Sequence, residues 1–191
     1  MQQDNLIRCK WCVNSEIERN YHDKEWGVPL YDDTKLFEFL ILDTFQAGLS
    51  WKTILIKREN FRAAFDNFDP YKISKYDEEK FNQLMQDAGI IRNKLKIQSA
   101  IINAKKFLEV KEKYNSFSDY IWSFSDNKRI TNNWDSIKQV PTHNDISDKM
   151  SKEMKKFGFK FVGTTICYAF MQAIGMVNDH EVICFRYKDL I

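Results

Sequence analysis

Apolar positions recur at helical spacing over most of this chain, punctuated by caps, Gly and Pro, and strand signals are weak. After Pro29, Asp33 can cap a helix carrying Leu36, Phe37, Leu40, Ile41 and Phe45 on one face and stopping at Gly48. Ser50 caps the next, which runs to about Phe65 with Ile54, Leu55, Phe61 and Phe65 inward, and Leu49 is placed to staple onto Ile54. Asp69-Pro70 opens a short helix with Pro at its first position. Asp77 caps another, with glutamates at its start as the helix dipole prefers, and this one ends at Gly89. A long helix then runs through Ile97, Ile101, Ala104 and Leu108. Phe117 to Phe124 reads as a short aromatic helix and residues 125–144 as the longest irregular segment. Ser147 or a neighbour starts a helix with Met150, Met154 and Phe157 that stops at Gly158. Thr164 starts the last long one, through Ile166, Phe170 and Ile174 to Gly175. The pattern predicts an all-α fold, one domain over residues 1–191.

One stretch breaks the pattern. Tyr21-His22-Asp23-Lys24-Glu25-Trp26-Gly27-Val28-Pro29 gathers charges, two aromatic rings and a histidine without helical spacing of apolar residues, so it reads as a loop. Taken alone it could be a polar surface loop with a buried Trp. Cys9 upstream and His180 with Cys184 near the C-terminus change that reading. Cys9, His22, His180 and Cys184 form a Cys2His2 set, the donor set of a tetrahedral structural zinc site. His180 and Cys184 are four residues apart, so one helical turn would put both on one face. Four filled positions leave none open for water, so the metal would tie the two ends of the chain together. Cys9-Lys10-Trp11-Cys12 is also a CxxC, so either thiol could be the ligand, or the pair could be redox-active. His143 reads as a surface histidine and Cys167 as core.

Composition narrows the classes. Hydrophobic residues at 43% and charged residues at 29% are those of a soluble globular chain long enough to bury a core without staples. A net charge of only +2 means that an acidic partner must be met by a local basic patch. The first ten residues lack the apolar region of a signal peptide, and the run Leu36 to Leu42 is short and carries Glu38, which excludes a spanning helix. Four cysteines in such a chain point to reduced thiols in the cytoplasm.

A helix–Gly turn–helix over Asp87-Ala88-Gly89-Ile90-Ile91 presents backbone N–H groups at a helix start, which favours phosphate. Arg92, Lys94 and Lys96 follow at once and add charge that holds a nucleic-acid backbone without reading sequence. The plain alternative is an αα-hairpin with a solvated basic face. Lys152, Lys155, Lys156 and Lys160 form a second basic cluster open to either reading. Tyr21, Trp26 and Trp51 are candidate stacking rings, and Asp43 is an unexpected charge in an apolar helix. Rings plus one carboxylate are what a base pocket needs. An exposed Asp43 is the plain alternative.

These residues resemble the DNA-3-methyladenine glycosylase I family, bacterial members of the helix-hairpin-helix glycosylase superfamily. The matching strings are Arg8-Cys9 with Trp11, Tyr21 to Pro29, Gln46-Ala47-Gly48-Leu49-Ser50-Trp51, Asp87 to Arg92, Gly158 to Tyr168, and Asn178-Asp179-His180. They span nearly the whole chain. The resemblance implies a helix-hairpin-helix around residues 78–113, with Gly89, Arg92 and Lys94 on the DNA backbone. It implies zinc-tethered termini (1–30 and 176–191), one structural Zn2+ on Cys9, His22, His180 and Cys184, and no part for Cys12. Its base pocket falls on Tyr21, Trp26 and Trp51, and its pocket glutamate on Asp43, so Asp43 and Tyr21 would act in catalysis. A further family tyrosine is Glu18 here. The implied activity is excision of 3-methyladenine from alkylated double-stranded DNA by base flipping, by a monomer with no lyase step. A zinc-stapled helical protein that binds distorted DNA without cutting it is the reading from another class, favoured by Asp43 and Glu18. A CxxC redox protein is a third.

Overall fold

The structure is a computed structural model and describes residues 5–191. Among these residues there are ten α-helices and one two-residue strand pair. α2 (Asp33–Gln46) and α9 (Thr164–Ala173) lie against each other at the centre, and α2 also meets α3 (Trp51–Ala64), α6 (Lys94–Tyr114) and α7 (Phe117–Trp122). α2 has no polar face: every residue from Leu36 to Phe45 is buried, as for a helix enclosed by neighbours on all sides. Asp32, not Asp33, caps it by accepting from Lys35 N at 2.9 Å. The Asp33 carboxylate instead accepts from Ser118 N and pairs with Lys111. Ser50, Asp69 and Asp77 cap α3, α4 (Pro70–Ile73) and α5 (Glu78–Gln86). Asn144 caps α8 (Asp145–Phe157) in a reciprocal bond with Ser147.

Three segments depart from the pattern reading. The Tyr21 stretch is not all loop, because α1 (Glu16–Lys24) carries Tyr21 and His22. Its buried face is supplied by those two residues alone, too few for a 3.6-residue apolar period to show. His180 and Cys184 do not share a helical turn. They flank a tight turn between β2 (Val177–Asn178) and α10 (Phe185–Asp189), and Cys184 is the residue before α10 begins. The segment 125–144 is also less irregular than its composition suggests. β1 (Ile130–Thr131) pairs in parallel with β2, and Trp134 bridges to Glu181.

The end of α9 sets the position of Trp26. Gly27 N donates to Gln172 O and Leu30 N to Ile174 O, both at 3.0 Å, strapping the Trp26–Pro29 turn to that helix end. Gly175 (φ +69°) allows the approach, since an added Cβ would lie 2.3 Å from Val28 C and 2.4 Å from Pro29 N. Backbone cannot move aside as a side chain can. Gly175→Ala should therefore destabilise the fold by about 2–5 kcal/mol, combining left-handed strain and overpacking, as read from denaturant midpoints. A change under about 0.5 kcal/mol would remove this account of the strap.

Candidate base pocket and metal centre

Tyr21 and His22 are neighbours on α1, so their side chains leave the helix about 100° apart. One serves a cavity and the other a buried cluster of metal-ligand chemistry.

The cavity has a volume of about 210 Å³, and Tyr21, Trp26, Asp43 and Trp51 all line it. Pockets for drug-sized ligands run to about 300–1,000 Å³, so this one suits a single small ring system. The Tyr21 and Trp51 rings lie 5.3 Å apart at 54°. Trp11 adds a wall, edge-on to Trp26 at 5.2 Å. Asp43 is 2% exposed, and its Oδ2 has no hydrogen-bond partner among the described residues. Burial pushes its carboxyl pKa well above the usual range, and pushes the Tyr21 phenol up as well, with the Asp43 charge adding to the latter. The exposed-helix alternative for Asp43 is thereby excluded. Trp51 Nε1 is also buried without a partner among the described residues. The residues that line the cavity thus include a buried carboxyl oxygen and a buried indole N–H, both unpaired among the described residues, beside aromatic rings that suit a flat heterocycle with polar edges. Behind Tyr21, Phe39 stacks under Arg58, and Arg58 is held by Glu38 at 2.6 Å and Glu25 at 2.7 Å.

In the cluster, the ligand atoms of Cys9, His22 and Cys184 lie within 4.8 Å of one another, all buried, so the three could hold a metal ion. His22 Nδ1 sits 2.8 Å from Asp23 Oδ1, itself paired with Arg8, and Nε2 lies 3.4 Å from Cys184 Sγ. A carboxylate on the far nitrogen is how ligand imidazoles are oriented. His180 packs against His22 with ring centroids 4.9 Å apart. Its Nδ1 lies 2.9 Å from the Asn178 Oδ1 acceptor, so Nδ1 carries the proton and Nε2 keeps its lone pair. That Nε2 is buried with no partner among the described residues. A hydrogen bond from Cys9, then the His22 contact, lowers the Cys184 thiol to about 4, whereas burial lowers His180 to about 3. The Cys9 thiol, by contrast, is pushed up by its hydrogen bond to Cys184 and by burial, and in His22 burial is outweighed by the bonds to Cys12, Cys184 and Asp23, which raise it to about 10, so these two would have to give up protons to ligate a metal. Cys12 donates to Cys9 O and also touches His22; both Cys12 and the predicted fourth ligand His180 lie outside the three-residue group. Cys9 and Cys12 are both fully buried, which denies a redox partner the access that thiol–disulfide exchange requires.

Pocket and cluster share a wall. Trp26 lines the cavity and packs its ring 4.5 Å from His180 and 6.1 Å from His22.

The methyladenine glycosylase family model matches residues 11–187. The chain belongs to that family. It is 49% identical over 182 residues to DNA-3-methyladenine glycosylase 1 of Escherichia coli (strain K12), covering 95% of this chain and 97% of the relative. A crystal structure of 3-methyladenine DNA glycosylase I superposes with a TM-score of 0.91 at 49% identity, covering 94% of this chain and 98% of the other. A Tyr-to-Phe variant of such an enzyme, solved in complex with 3-methyladenine, superposes at 0.90 with 32% identity, covering 93% and 96%.

The turn between α5 and α6 differs in detail from the sequence reading. Arg92 and Lys94 are exposed there, but Lys96 is 6% exposed. Its Nζ donates to Phe45 O and Ala47 O, satisfying carbonyls at the end of α2, so its charge is not offered to DNA. Gly89 N donates to Asp87 Oδ1, and Lys57 holds the Ala88 and Gly89 carbonyls. The N–H groups of Ile91 and Arg92 make no hydrogen bond among the described residues and remain as donors. Lys152, Lys155 and Lys156 face solvent on α8. His143 is exposed and Cys167 buried, as read. Sequence reasoning missed Trp11, Gln46, Ile137, Ala169, Gln172 and Ala173 in the cavity wall. Leu49, 39% exposed on the turn before Trp51, does not pack down as a staple.

Proposed function

We propose that this chain is a monofunctional DNA glycosylase that excises 3-methyladenine from alkylated duplex DNA, with one structural Zn2+ on Cys9, His22, His180 and Cys184. The observation that carries the reading is the unpartnered Asp43 carboxyl at the base of an aromatic cavity, in a chain of the methyladenine glycosylase family. The lesion is flipped into that cavity, stacks on Tyr21 and Trp51, and meets Asp43 with its exocyclic amine. A single methyl group gives a pocket only about 1–3 kcal/mol of discrimination. The chemistry of the lesion supplies the rest, because the N3-methylated base is cationic, its glycosidic bond is weak and it leaves without a proton. The site therefore needs little general-acid power. A carboxylate favours the cation, and the protonated Tyr21 phenol can donate beside it. No lysine lines the cavity among the described residues, which supports hydrolysis without a Schiff base. The zinc would supply no chemistry to the reaction.

Chromatography of bases released from methylated DNA tests the reading. Free 3-methyladenine is the expected product, and retained binding with no release would select the non-cutting alternative. The turn after α5 holds the backbone through the N–H groups of Ile91 and Arg92 and the charges of Arg92 and Lys94. Arg92→Ala and Lys94→Ala should each weaken binding to all duplexes alike and lower the salt slope by about one, with the preferred base unchanged. A change in which base is released, at constant affinity for undamaged DNA, would move these residues out of the backbone clamp.

A further inference from the structure

Asp179 is 1% exposed and lies at the end of β2. Four side chains point at it: Asn132 Nδ2 and Trp134 Nε1 reach Oδ1 at 2.7 Å, and the Tyr168 hydroxyl and Gln172 Nε2 reach Oδ2 at 2.8 Å. An indole N–H can only donate, and a carboxylate only accepts. Asp179 therefore selects the NH2 end of the Gln172 amide, and the two ends of that amide are not interchangeable here. Gln172 is part of the cavity wall, on the α9 face that also contributes Ala169 and Ala173. Its Oε1 accepts no hydrogen bond from the described residues and is not fully buried.

We propose that Gln172, locked by Asp179, is a second base-reading acceptor of the cavity and selects 6-amino purines over 6-oxo purines. The inference rests on the glycosylase reading above. An exocyclic amine has two hydrogens, and the cavity wall offers two acceptor groups, the Asp43 carboxylate and Gln172 Oε1. A carbonyl at the same position would meet two acceptors and no donor. Were the Gln172 amide free to turn over, it would accept either group and discriminate against neither. Asp179 is the positioning residue that removes this freedom, and it links the strand that leads to His180 with the cavity.

The test is a cycle of ligand and protein changes. Binding of free 3-methyladenine and of 3-methylhypoxanthine, in which a carbonyl replaces the amine, is followed by tryptophan fluorescence in wild type, Gln172→Leu and Asp179→Asn, with thermal melting as the fold control. The quantity read is the ratio of the two affinities. The ratio should fall about 3- to 10-fold in Gln172→Leu, the worth of one net hydrogen bond. It should fall in Asp179→Asn as well, because the Asn amide can donate to Gln172 Oε1 and turn the amide over. A purely structural role would weaken both bases equally and leave the ratio unchanged, and that result in Gln172→Leu overturns the assignment even if Asp179→Asn does not fold. Wild type that binds neither base overturns the glycosylase reading and this inference together. Wild type that binds 3-methyladenine, with an unchanged ratio in Gln172→Leu, overturns the inference alone.

Discussion

His180→Ala and Cys184→Ala should each release the bound Zn2+ and unfold the ends of the chain, while Cys12→Ala keeps both metal and fold. Structural zinc contributes about 10–16 kcal/mol of apparent binding free energy at neutral pH, comparable to the whole stability of a domain. The cluster joins Cys9 and α1 to the turn after β2, where the Phe185 N–Ile7 O hydrogen bond and the Arg8–Phe185 contact also cross. Function should fall with it, because Trp26 is packed on the His180 and His22 rings on one side and walls the cavity on the other. Atomic absorption gives metal content, and melting curves with and without a chelator give the stability. Native protein free of zinc would end the metal assignment. Retention of zinc by Cys9→Ala would transfer the ligand role to Cys12, which already touches His22.

Most of the helical frame was legible because its signals are local. Ser50, Asp69 and Asp77 cap the helices that follow them, and Gly158 and Gly175 take positive φ where helices stop. Asp32 was missed for Asp33 because adjacent aspartates carry the same cap signal. The features that escaped depend on distant parts of the chain. α1 is organised by what Tyr21 and His22 touch, not by an apolar stripe of its own. Lys96 reads as one more surface cation until the carbonyls of α2, some fifty residues earlier, are placed beside its ammonium. Ile137 joins the cavity because its N–H is held by Glu181 across the β1–β2 seam. No local pattern encodes either contact. The candidate residues Tyr21, Trp26, Asp43 and Trp51 do converge on one cavity, and Cys9, His22 and Cys184 on one cluster.

Asp43→Asn should reduce excision of 3-methyladenine by tenfold or more while raising the stability of the fold at neutral and alkaline pH. The two effects have one cause. Asp43 is buried, its Oδ2 has no partner among the described residues, and burial raises its carboxyl pKa well above the ordinary value near 3.8. A raised folded-state pKa means that the folded protein holds the proton more tightly than the unfolded chain does. The associated stability is present below the unfolded value and is lost as pH rises through the folded one. Wild type should thus weaken with rising pH across that window. Asp43→Asn, which cannot ionise, should not, and the difference between their melting temperatures should grow with pH. Binding works in the opposite direction. The cationic base of the flipped nucleotide beside the carboxyl favours the charged form, so uptake of DNA that carries 3-methyladenine should release a proton in wild type and none in the variant. The amide also exchanges a charge-assisted hydrogen bond for a neutral one about half as strong. Asp43→Glu should keep activity, since it restores a longer carboxylate of the same charge. Single-turnover excision for the three proteins decides the role. Equal rates for wild type and Asp43→Asn would transfer base recognition to Tyr21 and Trp51. Parallel melting profiles against pH would mean that Asp43 is not the buried ionisable group that the cavity is built around.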